Sequence, residues 1–378
     1  MNMSQDDRRL RPPFRADHVG SLLRPPAIRA LREGLAESRV TVAELAEAED
    51  QAIREIIAKQ EAIGLRSITD GETRRATWQG DFLEALDGTE AVPTVIRPKD
   101  GTGEPKTIRI ATVTGRIGLS DHPMLAHFSY LRAHTKQTPK MTIPAPAMIV
   151  SALRDWREVV SREAYPDIEA LYQDLAATYR DVVRAFYDAG CRYLQFDDVN
   201  LAYLCDPASR EKLVARGDDP DAMLRTWVDV VNAAIADRPD DMAITTHVCR
   251  GNFMSKWLAE GDYEPVAETL FNEFDYDGYF LEYDTDRAGS FEPLRFVPKG
   301  AKRIVLGLVT TKVGELEDGD RLRSRIEDAA KFVDIEQLCL SPQCGFASTE
   351  EGNLISEDEQ WAKLGQVVEV AAEIWPDG

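Results

Sequence analysis

Met242-Ala243-Ile244-Thr245-Thr246-His247-Val248-Cys249 is the stretch on which the fold turns. Residues 242–246 form an apolar run that reads as a buried strand. The run ends on an imidazole and a thiol, two groups that ligate a borderline-soft metal. Two later strand-like segments carry candidates of the same kind. Glu282 lies in Tyr279-Phe280-Leu281-Glu282-Tyr283, and Cys344 follows Gln337-Leu338-Cys339-Leu340-Ser341-Pro342-Gln343. Ligand-type groups at three separate strand ends suit a catalytic metal in a barrel rather than a compact structural knuckle.

Working outward, strand-like and helix-like segments alternate along the chain. Strands are expected near Ala16–Val19, Leu65–Thr69, Met141–Pro144, Cys191–Phe196, Met242–His247, Tyr279–Tyr283, Arg303–Val309 and Gln337–Leu340. Thr41-Val42-Ala43-Glu44 is a capping box that opens a helix carrying Leu45, Ile53, Ile56 and Ile57. Asp167–Ala189 has a long helical pattern closed by Gly190, and Met223–Ala236 and Arg321–Phe332 repeat the theme. Alternation of this kind predicts an α/β fold, a (β/α)8 TIM barrel occupying residues 14–378 as one domain. Residues 1–13 are polar, Arg-rich and end in Pro12-Pro13, so they are expected to be disordered. An insertion is expected at about 94–140, after the second βα unit. There Lys99-Asp100-Gly101-Thr102-Gly103 is a turn cluster beside the alternating run Thr107–Val113, the pattern of a β-hairpin. His122, His127 and His134 follow in 120–140, a stretch that reads either as a lid over the site or as a surface excursion.

Composition narrows the partners. The net charge of −21 opposes nucleic acid and anionic membranes. No apolar run approaches the ~20 residues of a bilayer span. The polar start has no apolar signal core, which predicts a cytoplasmic protein. Five widely spaced cysteines do not make a disulfide framework, and a reducing compartment keeps thiolates free for a metal.

In a barrel the residues just after each strand face the active site. Here they include His18, Gly20 and Ser21, then Asp70, Gly71 and Glu72, then Asp197 and Asp198. Later ends bring Asp284, Thr310, Thr311, Lys312 and Gly345 beside the ligand candidates. Each has a bland alternative: His-x-Cys as packing, Cys344 as a small buried apolar group, Asp197-Asp198 as a helix cap or turn.

His247-x-Cys249, Glu282 and Ser341-Pro342-Gln343-Cys344-Gly345 resemble the catalytic half of cobalamin-independent methionine synthase, above all its short single-barrel relatives. Ala16-Asp17-His18-Val19-Gly20-Ser21-Leu22-Leu23-Arg24-Pro25, Thr69-Asp70-Gly71-Glu72 and Phe280-Leu281-Glu282-Tyr283-Asp284 extend the likeness over residues 14–375. The resemblance implies a zinc ion held by His247, Cys249, Glu282 and Cys344. It also implies a homocysteine carboxylate on Val19, Gly20 and Ser21, and its ammonium on Glu72 and Asp197. The implied activity is methyl transfer to homocysteine, with the metal deprotonating the substrate thiol. Glu282 would be the ligand that yields to the incoming sulfur. The pattern departs in two places. The chain is too short for the second barrel that helps hold a folate tail. The family's proton-donating histidine after strand seven is missing, since residues 303–320 hold no histidine. Lys312 or His18 is the substitute candidate, and the methyl donor stays open, as do oligomeric state and pathway. An alternative is the epoxyalkane:coenzyme M transferase chemistry of the same barrel. A sulfonate would then need arginine, for which Arg15, Arg24, Arg74 and Arg75 are placed near the first rims. A zinc-binding protein without turnover fits less well, because the ligands are not clustered in sequence. The zinc-free uroporphyrinogen decarboxylase relatives do not explain Cys249 and Cys344.

Overall fold

Strands of this protein are short, apolar on one face and flanked by capped helices, and that pattern builds a curled parallel sheet. The computed structural model describes residues 11–96 and 106–376. In chain order the strands are β1 (Ser67–Ile68), β2 (Asp87–Ile96), β3 (Lys106–Gly118), β4 (Thr138–Pro144), β5 (Tyr193–Asp198), β6 (Ala243–Val248), β7 (Gly278–Glu282), β8 (Arg303–Val309) and β9 (Leu338–Pro342). Seven of them form one parallel sheet in the order β1-β4-β5-β6-β7-β8-β9. β2 and β3 form a separate antiparallel pair. The expected first strand, Ala16–Val19, is reduced to a single parallel bridge, Ala16 with Leu340. Its chain nevertheless bonds both edges of the sheet. Asp17 N donates to Leu340 O on one side, and Leu22 N donates to Gly71 O on the other, each at 3.0 Å.

Helices start where the side chains say they should. Thr41 and Glu44 close a reciprocal capping box on helix Val42–Ala62. Asp167 caps Ile168–Asp188, and Gly190, at φ +97°, turns the chain out of it. Their apolar stripes pack on the outer sheet face, with Leu171, Leu175, Tyr179 and Val182 buried from one helix alone. Among the described residues no helix is long and apolar enough to cross a membrane.

Strands alternate faces every residue, so the inward set can be read directly. Tyr193, Gln195 and Asp197 share one face of β5, and Leu194 and Phe196 the other. The inward floor is polar. Asp17 Oδ1 accepts from Ser67 Oγ at 2.7 Å and from Lys140 Nζ at 3.3 Å, and its Oδ2 accepts from the Tyr193 hydroxyl at 2.8 Å. The Lys140 ammonium also lies 4.1 Å from the Phe280 ring centroid. Val19, Phe280, Val305 and Cys339 form a small apolar cluster within the sheet.

Three expectations change. The hairpin begins at Asp87, before the expected boundary at 94, because Asp87 already pairs with Gly118 and Thr89 with Val113; its turn, 97–105, lies outside the described residues. Residues 120–140, read as either a lid or a surface excursion, are packed into the outer layer. Helix Pro123–His134 buries Met124, Phe128 and Leu131 in the outer layer, and His122 caps it while bonding Phe82 O. His134 bonds Tyr130 O one turn back. Of the segment expected to be disordered, residues 1–10 lie outside the described residues. Pro13, by contrast, is buried against Gly278 and its carbonyl accepts from Arg303.

Asp17 and Lys140 are fully buried, so each neutralises a charge the other could not shed into water. Asp17→Ala should therefore cost about 3–5 kcal/mol, read as a lower midpoint in urea unfolding. An Asp17→Asn, Lys140→Met double variant should recover part of that loss.

Candidate metal centre

The ends of β6, β7 and β9, with β8 between the last two, converge on one point. His247 sits at the inward position of β6, register-paired with Asp197 of β5. Glu282 ends β7 opposite Gly307 of β8, and Gly307 also faces Ser341 of β9. Gly307 has to be small, since a Cβ there would sit 2.7 Å from Gln343 Cα. Four ligand atoms, from His247, Cys249, Glu282 and Cys344, lie within 4.8 Å of one another. All four residues are buried.

The spacing is a metal spacing. The two sulfurs are 3.6 Å apart, too far for a disulfide, and both cysteines are free. Tetrahedral zinc with its usual zinc–sulfur bonds sets two thiolates about 3.8 Å apart. His247 Nε2 is 3.7 Å from Glu282 Oε1. Two sulfurs, one imidazole and one carboxylate are a borderline-soft set that suits zinc over magnesium or calcium. Behind the imidazole, Asp197 Oδ1 stands 3.5 Å from Nδ1, the carboxylate–histidine relation found behind metal ligands.

Electrostatics point the same way. Burial pulls His247 down, but Asp197, Cys344 and Glu282 outweigh it and lift the imidazole to about 9. Cys249 is pushed well up, first by its hydrogen bond to Cys344 and then by burial. Cys344 is lowered, first by that same bond. The cluster thus seeks positive charge, and a divalent cation would replace the protons.

A narrow cavity opens beside these groups. Its walls include Val19, Ser21, Glu72 and Asp197, with His247, Cys249 and Cys344 on the metal side. Trp78, Gly345 and Ser348 complete them. Glu72 is held in the left-handed region at φ +57° by the turn after β1, where Asp70 Oδ1 accepts its N–H at 2.9 Å. Oε1 accepts from Thr142 Oγ1 at 2.9 Å, whereas Oε2 is buried with no partner. Burial first, with Asp197 adding to it against Arg75, raises this carboxyl to about 7. Ser21 Oγ lies where a Cβ on Gly345 would come within 1.9 Å of it. Gly20 turns at φ +140° with its face against Thr142 and does not line the cavity.

His18 and Lys312, the expected proton movers, sit elsewhere. His18 is buried below the cavity wall, with Nε2 3.2 Å from Ser67 O. Burial, then Lys140, lowers it to about 4, so it is neutral at pH 7. Lys312 Nζ donates to Asn252 Oδ1, and the Asn252 amide in turn donates to Gly345 O and Ser348 Oγ. It reaches the wall through a neighbour. The four arginines considered for a sulfonate are all used elsewhere. Arg15 bonds Glu336, Arg24 the carbonyls of Ala347 and Thr349, and Arg74 Asp50, while Arg75 bonds Thr142 O and stands 3.6 Å from Glu72 Oε1. None of them lines the cavity. Trp78 and Ser348 were not anticipated; their signal is position alone, a few residues beyond Glu72 and Cys344.

Comparison with known proteins agrees with this geometry. Residues 14–373 match the family described as cobalamin-independent synthase, catalytic domain. The Bacillus subtilis protein YxjH is 46% identical over 373 residues, covering 98% of this chain and 97% of its own. The 5-methyltetrahydropteroyltriglutamate–homocysteine methyltransferase of Corynebacterium glutamicum is 28% identical over 86% of this chain, which spans only 40% of that enzyme. A Listeria monocytogenes structure, provisionally assigned as a vitamin-B12-independent methionine synthase, is 40% identical with a TM-score of 0.77, covering 97% and 99% of the two chains. A B12-independent methionine synthase from Shewanella sp. W3-18-1 shares the fold at 19% identity and a TM-score of 0.71, covering 96% and 97%.

Elemental analysis of the purified protein should find about one zinc per chain. Cys249→Ser, Cys344→Ser together should abolish it. The sheet does not depend on the ion, so circular dichroism should be nearly unchanged by chelation; unfolding on zinc removal would mark the metal as structural.

Proposed function

Because this chain belongs to the cobalamin-independent synthase catalytic-domain family, we propose that it is a zinc-dependent methyltransferase whose acceptor is the thiol of homocysteine. The observation that carries this reading is the meeting of two unlike groups in one small cavity. Two buried carboxylates, Glu72 and Asp197, face the same space as the His247, Cys249 and Cys344 side chains. Bound zinc would supply one thing, a substrate thiol held as thiolate at neutral pH.

The protein groups do the rest. Glu72 Oε2, buried without a partner, is an acceptor waiting for a donor, and an α-ammonium offers one. Asp197 supports His247 and adds negative charge on the same side. Ser21 and the backbone around Val19 and Gly20 serve the carboxylate end. Lys312, held by Asn252 behind the cavity wall, is the candidate cation for the departing group; His18, neutral and walled off, is assigned to the floor instead. The acceptor named by the Corynebacterium relative is homocysteine, which agrees. Its folate donor is not carried over, because the chain spans less than half of that enzyme and lacks a histidine in 303–320. The fold is read as an eight-stranded barrel, with Arg15–Leu22 as the reduced eighth stave bonded to both sheet edges. Thiolate ligands of this kind fit a reducing, cytoplasmic setting. The coenzyme M alternative loses support, since the cavity offers carboxylates and no guanidinium to a sulfonate.

A donor screen with zinc-loaded protein and homocysteine, read by mass spectrometry of the thioether, tests the activity. Formation of methionine from any methyl donor supports it, and a preference for coenzyme M overturns it. Glu72→Gln or Asp197→Asn should lower kcat/KM for homocysteine by about 10- to 150-fold, the worth of one charge-assisted hydrogen bond. Glu72 must be ionised to hold an ammonium. In the wild type kcat/KM should therefore fall as pH drops through about 7, and Glu72→Gln should lack that limb.

A further inference from the structure

Glu282 differs from the other candidate ligands in what else holds it. Its Oε1 accepts from the Arg250 N–H at 2.8 Å. Its Oε2 accepts from the Arg287 guanidinium at 3.0 Å and from the Gln343 amide at 3.3 Å. The side chain is fully buried, so a carboxylate that left a metal here could not be received by water. It would need donors already in place, and it has them. Arg287 follows β7 by five residues, on the short turn Asp286–Ala288. It also donates to Asp284 Oδ1 at 2.7 Å. Its guanidinium stands 4.9 Å from the centre of the Trp257 ring, which is 47% exposed. Trp257 closes a tight turn in which Met254 and Ser255 both adopt positive φ. Arg287 is thus pinned from two sides with one amino group aimed at Glu282.

We propose that Arg287 is a positioning residue that receives the Glu282 carboxylate when a substrate thiol takes its place on the metal. The inference rests on the thiol-acceptor reading above. One metal–oxygen bond is exchanged for one metal–sulfur bond, and the thiol proton passes to solvent. Protein donors stand at both carboxylate oxygens, so a released Glu282 would not be left as a bare buried charge. Lysine at 287 would keep the charge and lose the planar fork.

Cobalt(II) in place of zinc makes the exchange visible, because a new sulfur ligand changes its visible absorption. Homocysteine is titrated into cobalt-loaded wild type, Arg287→Met and Arg287→Lys. The wild type should respond and saturate. Arg287→Met should hold the same cobalt per chain but require about 10- to 150-fold more homocysteine, with Arg287→Lys between the two. Equal thiol affinity in all three proteins overturns the proposal. So does loss of cobalt in step with loss of thiol binding in both variants, which would make Arg287 a mere support of the metal site. A wild type that does not respond to homocysteine at all refutes the acceptor reading itself, and the role of Arg287 falls with it.

Discussion

Four ligand groups packed into a buried corner cannot be satisfied by one another. Two sulfurs at 3.6 Å, an imidazole and a carboxylate leave more negative than positive charge once any thiol ionises. Burial weakens the screening that water gives such charge, so a cation is the economical solution. Much of the surrounding structure serves this one constraint. Asp197 stands behind His247, Arg250 and Arg287 hold Glu282, and Gln343 spans from the carboxylate to Thr311.

The parallel sheet makes that corner possible. In a parallel sheet all C-terminal ends lie on one rim, and the two-residue period points Asp197, His247 and Glu282 inward together. Two glycines then permit the last contacts. Gly307 lets the end of β9 approach β7, and Gly345 lets Ser21 approach the cavity wall. Below this layer the Asp17–Lys140 pair fixes the floor and draws His18 into it, since Lys140 Nζ donates to His18 O at 2.5 Å. A histidine at a strand end reads as catalytic by position, yet here its ring faces the carbonyl of Ser67.

The same logic separates the metal side from the mouth. Glu72 and Asp197 face the cavity; Arg24 and Arg74 near them are spent on carbonyls and on other carboxylates, and Arg75, which bonds Thr142 O, stands 3.6 Å from Glu72 Oε1 and leaves Oε2 to the cavity. A cavity of that polarity prefers a cationic ligand group over an anionic one near Glu72. The exposed Trp257 turn is joined to Glu282 through Arg287, which makes the outer loop and this candidate ligand one connected unit.

Strand order, helix caps and the four metal candidates were all legible in the chain, because each depends on local chemistry: a capping box, an apolar run, a ligand at its end. Seven of the eight expected strands are found in register. Local signals could not show that Ala16–Val19 keeps only one bridge, since pairing depends on neighbours more than 300 residues away. Nor could they separate His122 the helix cap from a lid histidine, because that depends on the helix packing against Phe82 and Phe186. Trp78, Ser348, Asn252 and Arg287 carry no motif of their own; they matter only through what folding sets beside them. The sequence by itself determined which atoms could hold a metal. The tertiary structure decided that they meet, because only the inward pleat and close approach of neighbouring parallel strands bring residues almost 100 positions apart to within one coordination sphere.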